Sequence, residues 1–265
     1  MELETLEYEE RDHVAIVTLN RPERHNAFNE VMQRELRDVW QAIKVNDDVR
    51  AVVLTGSGRA FCVGQDLREH IENIASKPLE EVWATVDAHY SPIALGLATM
   101  AKPVIAAVNG VAAGAGLSIA MACDLRIAAD TAGFNTAFTG VALSCDTGSS
   151  WTLPRLIGPT KAMELLLMPR TLDSQEALEL GLVNRVVPHD ELLPHCRELA
   201  ARIAAGPSVA IEFIKKIALR TFEGDSFESV TAYEAFAQSV CEASEDGAEG
   251  VRSFQEKREP RFQGR

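Results

Sequence analysis

Pro103 to Cys123 is a run of 21 residues without a charge. A run this long and apolar has to be buried, either in a bilayer or in a protein core. Its interior decides between the two. Pro103, Asn109, Gly110, Gly114, Gly116 and Ser118 interrupt it, and much of the remainder is alanine. The interruptions predict a short buried strand, a turn and a buried helix rather than a membrane span. Val104–Val108 is the strand, and its flanks point to burial on both faces, as inside a parallel sheet. Such a strand needs helices packed above and below it, so the chain is committed to an α/β layered core.

The rest of the chain agrees with that core. Val14 to Leu19 reads as a strand closed by Asn20-Arg21-Pro22. Val49 to Thr55 is a second, stopped by Gly56-Ser57-Gly58, and Leu125 to Ala129 is a fourth. Asn29 is a favoured helix N-cap. After it Met32, Leu36, Val39, Trp40 and Ile43 fall on one helical face. Strands separated by helices imply right-handed crossovers. Beyond about residue 148 the pattern is almost all helix. Pro159 suits a first helical position. Asp173 with Glu176 makes a capping box, and Gly181 supplies the stop. Pro207 opens a helix with Ala210, Ile214, Ile217 and Ala218 on one side; Val230, Tyr233, Ala237 and Val240 line the next. The expectation is an α/β core over residues 1–200 and a helical extension over 201–265 that packs on a neighbouring subunit.

Charge excludes some functions. The 265 residues carry a formal −13, which argues against a general nucleic-acid surface. The last fourteen residues run the other way at +3, leaving −16 for the remainder. That basic tail is either a solvated face or the edge of a site for a phosphate-rich ligand. The five cysteines are odd in number and show no C-x-x-C spacing. No disulfide framework or metal site is expected, nor is any H-x-x-x-H pair present. Met1 to Asp12 holds six acidic residues and one arginine, unlike a secretory or transit segment. A cytoplasmic location is expected.

Chemistry could sit in three places. Between Asp130 and Arg155 stand 24 residues, and Asp146 alone among them is charged. An aspartate among apolar neighbours has a raised pKa and can exchange protons near neutrality. The competing reading makes Asp146 the N-cap of the following helix. Gly110-Val111-Ala112-Ala113-Gly114-Ala115-Gly116 lies between strand and helix. There a backbone can approach a ligand and present helix amides to a phosphate or an oxyanion. The spacing excludes a dinucleotide fingerprint, because Ile119 occupies the third glycine position. Close helix–strand packing is the alternative. The segment from Gly56 to Leu67 is the third place, either a plain turn or the source of a second outward amide. Gly116-Leu117-Ser118-Ile119-Ala120 misses the nucleophile elbow at Ala120. Cys145 reads as a small side chain rather than a nucleophile, and Trp40, Trp83 and Trp151 are too scattered to form a stacking platform.

Taken together, these stretches resemble the enoyl-CoA hydratase/isomerase (crotonase) superfamily over nearly the whole chain. The resemblance rests on Leu19–Pro22 with Asn26-Ala27-Phe28, Ala60–Asp66, Lys102–Gly110 with Gly114-Ala115-Gly116, Cys123-Asp124, and Ser253–Arg258. It implies a spiral of β-β-α turns assembled as a homotrimer or dimer of trimers. The ligand it implies is an acyl-coenzyme A thioester, with coenzyme A as part of the substrate and no separate cofactor. Two backbone amides hold the thioester oxygen in this family, and they match Gln65 and Ala115. Ala115 stands where glycine is usual, which is tolerable if its backbone suits a Cβ. Arg24, His25, Ala27, Ala60, Gly64, Asp66, Leu67 and Gly114 correspond to positions around the coenzyme and the thioester. Phe254 and Lys257 match residues that reach a neighbouring subunit's ligand.

Departures from the hydratase pattern point to a subclass. The two glutamate positions of hydratases read Ser118 and Phe138, so the usual acid and base of hydration are missing. Leu143 to Arg155 instead resembles ring-1,2-epoxyphenylacetyl-CoA isomerases, where an aspartate at the place of Asp146 is catalytic. Aryl-CoA dehalogenases also carry an aspartate there. Their tryptophan and histidine positions, however, read Phe138 and Ser91. The expected activity is acyl-CoA isomerisation with Asp146 as the catalytic group and Phe138, Val141 and Trp151 in the apolar lining. A hydratase is the alternative, as is a non-catalytic acyl-CoA-binding subunit on the same fold.

Overall fold

The computed structural model describes residues 2–265. In chain order it runs β1 (Leu6–Arg11), β2 (Val14–Leu19), α1 (Glu30–Val45), β3 (Ala51–Gly56), β4 (Ala60–Cys62), α2 (Leu67–Ser76), α3 (Leu79–Trp83), α4 (Ser91–Thr99), β5 (Val104–Val108), β6 (Val111–Ala113), α5 (Ala115–Ala122), β7 (Leu125–Ala129) and β8 (Gly133–Asn135). Then follow α6 (Ser149–Ile157), α7 (Pro159–Leu167), β9 (Leu172–Asp173), α8 (Ser174–Glu179), β10 (Arg185–Val187), α9 (Leu192–Ala204), α10 (Ser208–Glu223), α11 (Phe227–Ala243) and α12 (Glu245–Glu256). A π-helical turn, Val86–Tyr90, joins α3 to α4.

Two sheets organise these elements. The larger has the order β1-β2-β3-β5-β7-β10 and is parallel except for the β1–β2 pair. The smaller has the order β4-β6-β8-β9, with only β8–β9 antiparallel. β3 leads into β4, β5 into β6, and β7 into β8. Each pair places a long strand in one sheet and a short strand in the other before the chain turns into helix. This is the β-β-α spiral that the resemblance implied. β3 and β5 are buried at every residue, as the uncharged run demanded. The face of α1 read from sequence is buried in full, and Asn29 Oδ1 accepts from the Met32 amide at 2.9 Å.

The departures have physical causes. β1 is an additional edge strand, Leu-Glu-Tyr-Glu-Glu-Arg, with mostly solvated side chains. Its acidic residues conceal it from a search for apolar alternation. The second strand begins at Ala51 rather than Val49. The boundary expected at residue 200 falls inside α9, whose Ala200 and Ala204 are buried against the core. Asp173 caps α8, but Glu176 bonds Arg170 instead of closing the box. The expected face of α10 is not covered: Ile214 is 67% exposed, and α10 buries no residue in the single chain. Among the described residues no helix is long and apolar enough to cross a membrane.

Candidate active site

Where the chain leaves β4, a short parallel bridge joins Gln65 to Phe28. Phe28 donates its amide to the Gly64 carbonyl (2.8 Å) and accepts from the Asp66 amide (2.9 Å). In a parallel ladder, alternate residues point to opposite sides. The Gln65 amide therefore faces away from Phe28, toward the side on which β6 pairs with β4. There the chain has already turned into α5. Gly114 makes that turn with φ 51 and ψ −127, a conformation that glycine adopts without a Cβ penalty. Ala115 is the first helical residue and has no positive φ, so its methyl group is accommodated without strain. Its amide belongs to the first turn, where the helix offers no acceptor. Among the described residues neither the Gln65 nor the Ala115 amide meets an acceptor within the protein.

The glycines around these amides hold the two segments together. A Cβ on Gly116 would lie 2.1 Å from the Cys62 carbonyl oxygen, and one on Gly110 would lie 2.1 Å from that of Arg59. A Cβ on Gly64 would stand 3.4 Å from the Ala115 nitrogen. Close packing and amide presentation, weighed as rivals on sequence, are both at work: Gly116 and Gly110 pack, and Gly114 turns. Asparagines pin the adjoining turn. Asn26 Nδ2 donates to the Ser57 and Ala60 carbonyls, and Asn109 Nδ2 donates to those of Gly58 and Ala60.

Asp66 anchors the far side. Its Oδ1 accepts from the Arg68 and Glu69 amides and so caps α2, while its Oδ2 meets Arg21 at 3.0 Å. Burial disfavours the charge, but the Arg21 contact and the helix amides hold the carboxyl below the usual aspartate range.

Gln65 and Ala115, which carry the free amides, both line a cavity of about 500 Å³. Asp146 lines it as well, together with Gly64, Leu67, Gly114, Phe138 and Val141. The N-cap reading of Asp146 is overturned. Gly148, at φ 78, occupies that place without a side-chain bond, and Asp146 receives the Ser149 amide on its backbone oxygen. Its carboxylate instead accepts the Thr147 hydroxyl at 2.7 Å. Ala137, Ala142, Thr147 and Gly148 all have left-handed φ. Strain of this kind persists where surrounding structure enforces it, and here it bends the loop so that Asp146 lines the cavity. Burial pushes the Asp146 carboxyl above the usual aspartate range, and the Thr147 bond opposes this in part.

The cavity does not gather every residue expected from sequence. Arg24, His25, Ala27, Ala60, Asp66, Phe254 and Lys257 lie outside its lining, as does Trp151, whose ring packs instead between Phe222 and Arg155. His25 accepts from Arg59 at the edge of the 21–28 turn. Phe254 is 86% exposed, and Lys257 ends α12 in a left-handed conformation. Conversely, His70, Val82, Trp83, Thr85, Val86 and Tyr90 line the cavity without having been singled out. They lie on α2, on α3 and in the π-helical turn, with Thr85 just before that turn, where no short motif marks them. Ser118 is fully buried and turns its hydroxyl to the Gly114 carbonyl, 3.0 Å away.

Comparisons with known proteins agree with this geometry. The family described as enoyl-CoA hydratase/isomerase matches residues 9–265. A Rhodobacter capsulatus relative named "Probable enoyl-CoA hydratase" is 40% identical over 265 residues, covering 100% of both chains. The Escherichia coli 1,2-epoxyphenylacetyl-CoA isomerase is 38% identical over 252 residues, covering 95% of each. The crystal structure of an enoyl-CoA hydratase from Bacillus anthracis superposes with a TM-score of 0.93 at 32% identity, covering 99% of this chain and 100% of the other. Spiral, facing amides and full-length similarity agree, and the chain belongs to the enoyl-CoA hydratase/isomerase family, whose members act on acyl-CoA thioesters.

Proposed function

We propose that the protein is an acyl-CoA isomerase of the enoyl-CoA double-bond or ring-1,2-epoxyphenylacetyl-CoA type. One observation carries the reading: a single half-buried carboxyl, Asp146, lines the same cavity as the two unpartnered amides. The Gln65 and Ala115 amides receive the thioester oxygen. The Asp146 carboxylate takes a proton from the carbon next to the thioester carbonyl. The electron pair moves into the C–O bond, and the negative charge grows on the oxygen between the amides. The protonated Asp146 then returns the proton at a more distant carbon, which moves the double bond; with an epoxide substrate it assists ring opening. Donors aimed at charge that appears only in the transition state speed the step itself.

Hydration is the second reading, favoured by the names of the Rhodobacter and Bacillus proteins. Against it, the two glutamate positions hold a buried serine bonded to the backbone and a buried phenylalanine. The reading extends to assembly. Phe222, Phe227, Phe236 and Phe254 stand exposed on and beside α10–α12, as apolar groups at a subunit interface do. A homotrimer, or a dimer of trimers, would cover them.

The test is a panel of octenoyl, crotonyl and phenylacetyl-derived thioesters in deuterated water. Isomerisation supports the proposal, with deuterium entering the α or γ carbon to the extent that the Asp146 proton exchanges with solvent before its return. Steady hydration of crotonyl-CoA at enzymic rates favours the second reading, and tight binding with neither isomerisation nor exchange marks a non-catalytic binder.

A further inference from the structure

Beyond the cavity lies a smaller chamber of about 200 Å³ between α1, α2 and α3. Four residues, Gln65, His70, Val82 and Thr85, line both spaces. The Gln65 side-chain amide nitrogen lies 3.0 Å from His70 Nδ1. An amide N–H can only donate in this contact, so His70 Nδ1 accepts. The pair thus closes a partition between two spaces of opposite character. The acyl side is mostly apolar. The far side is polar, with Glu30, Glu69, Asn73 and Lys77 in its wall and the buried Gln33 Oε1 beside them without a partner.

We propose that His70 is a specificity-determining residue: through its bond to Gln65 it forms the end wall of the acyl cavity and excludes acyl groups long enough to reach the chamber behind. This rests on the reading of the cavity as an acyl-CoA site. The wall is a side chain rather than backbone, so shortening it joins the two spaces without disturbing the amides. A methyl-ended tail pushed through would strip water from charged and amide groups, which is unfavourable. A tail ending in a hydroxyl would exchange water for those same groups.

Titration calorimetry with saturated thioesters, which have no double bond to move, tests the wall independently of turnover. The series runs from butanoyl- through octanoyl- and dodecanoyl- to hexadecanoyl-CoA. Affinity of the wild type rises by up to about fourfold per buried methylene and then levels off when the tail meets the wall. His70→Ala moves that plateau to longer chains, and more so for an ω-hydroxyl end than for a methyl end. His70→Gln keeps a side-chain acceptor for Gln65 and retains the wild-type plateau. A plateau that stays put in His70→Ala, or a uniform loss at every length, overturns the proposal while leaving the acyl-CoA reading intact. Absence of binding at every length overturns both.

Discussion

Replacing Asp146 by asparagine separates catalysis from stability. The side chains are nearly isosteric, and an asparagine carbonyl can accept the Thr147 hydroxyl that the carboxylate accepts at 2.7 Å. What the change removes is the titrating proton. Positioned acid–base groups contribute ~10²–10⁴-fold, so kcat for isomerisation should fall by that factor, about 2.7–5.4 kcal/mol of barrier. Stability should move the other way or not at all. Burial raises the Asp146 pKa in the folded chain. A raised native carboxyl favours folding below the ordinary aspartate value of ~3.9 and loses that contribution as pH climbs through the raised native value. At pH 7 the buried charge is therefore a cost, and neutral asparagine relieves it. The assay pairs acyl-CoA isomerisation with calorimetric melting at pH 7. Expected are a collapsed rate, unchanged thioester affinity and an equal or higher Tm. The wild-type acid limb should also lie above pH ~3.9. Full activity would refute the assignment, and a Tm drop of several degrees would make Asp146 a structural residue.

Gly116→Ala drives a methyl into the Cys62 carbonyl at 2.1 Å. It should cost ~1–3 kcal/mol in stability and lower kcat more than it raises KM, because α5 carries the Ala115 amide; urea melts and steady-state kinetics check both. Arg21→Ala leaves Asp66 buried without its cation and should cost up to ~3–5 kcal/mol, read by denaturant unfolding. Because the Asp66 pKa is lowered in the native state, its contribution is complete above pH ~3.9 and fades as pH falls through the native value. The gap between wild type and Arg21→Ala should close in acid. Lys257→Ala should raise KM for the thioester by ~10–100-fold, the worth of a charged hydrogen bond, with kcat unchanged. Equal affinity in the variant would remove Lys257 from the coenzyme site.

Legibility in the sequence followed the physics of each segment. The strands β2, β3, β5 and β7 were readable because burial on two faces leaves runs that are mostly apolar, with Thr18, Thr55 and Arg126 as the polar residues among them. α1 was readable because one buried face has a fixed period. β1 was not, since an edge strand with solvated side chains carries no such signal. Gln65 and Ala115 came from motif resemblance; the ladder geometry that aims the Gln65 amide is a property of Phe28, 37 residues earlier. Asp146 was visible as a lone charge, yet a cap and a cavity acid look alike in one dimension. The left-handed Thr147 and Gly148 separate them, and no propensity announces a left-handed threonine. His70, Val82 and Tyr90 come together only because α2, α3 and the π-helical turn meet around the cavity beside Gly64 and Gln65, a long-range arrangement without a local signature.

On the isomerase reading, Ser118, Phe138 and the unpartnered amide pair form one consistent chemical design. Hydration needs a water held against the substrate, and two carboxylates to hold and activate it. Here Phe138 presents a ring to the cavity and Ser118 turns its hydroxyl back into α5, so neither position offers water a charged partner. A drier cavity would strengthen each amide's hold on an enolate oxygen. It would also keep bulk water from protonating the enolate, so that the acid that formed it can return the proton. A second carboxylate would disturb this, because its charge would oppose the enolate and compete for the proton. With Asp146 alone, burial sets the pKa without a like-charged neighbour, and the same group can give back what it took. On this reasoning, restoring a carboxylate with Phe138→Glu should bring water and crotonyl-CoA hydration into the cavity at the expense of isomerisation. A variant that isomerises undiminished and hydrates nothing would show that water exclusion is not what directs the reaction.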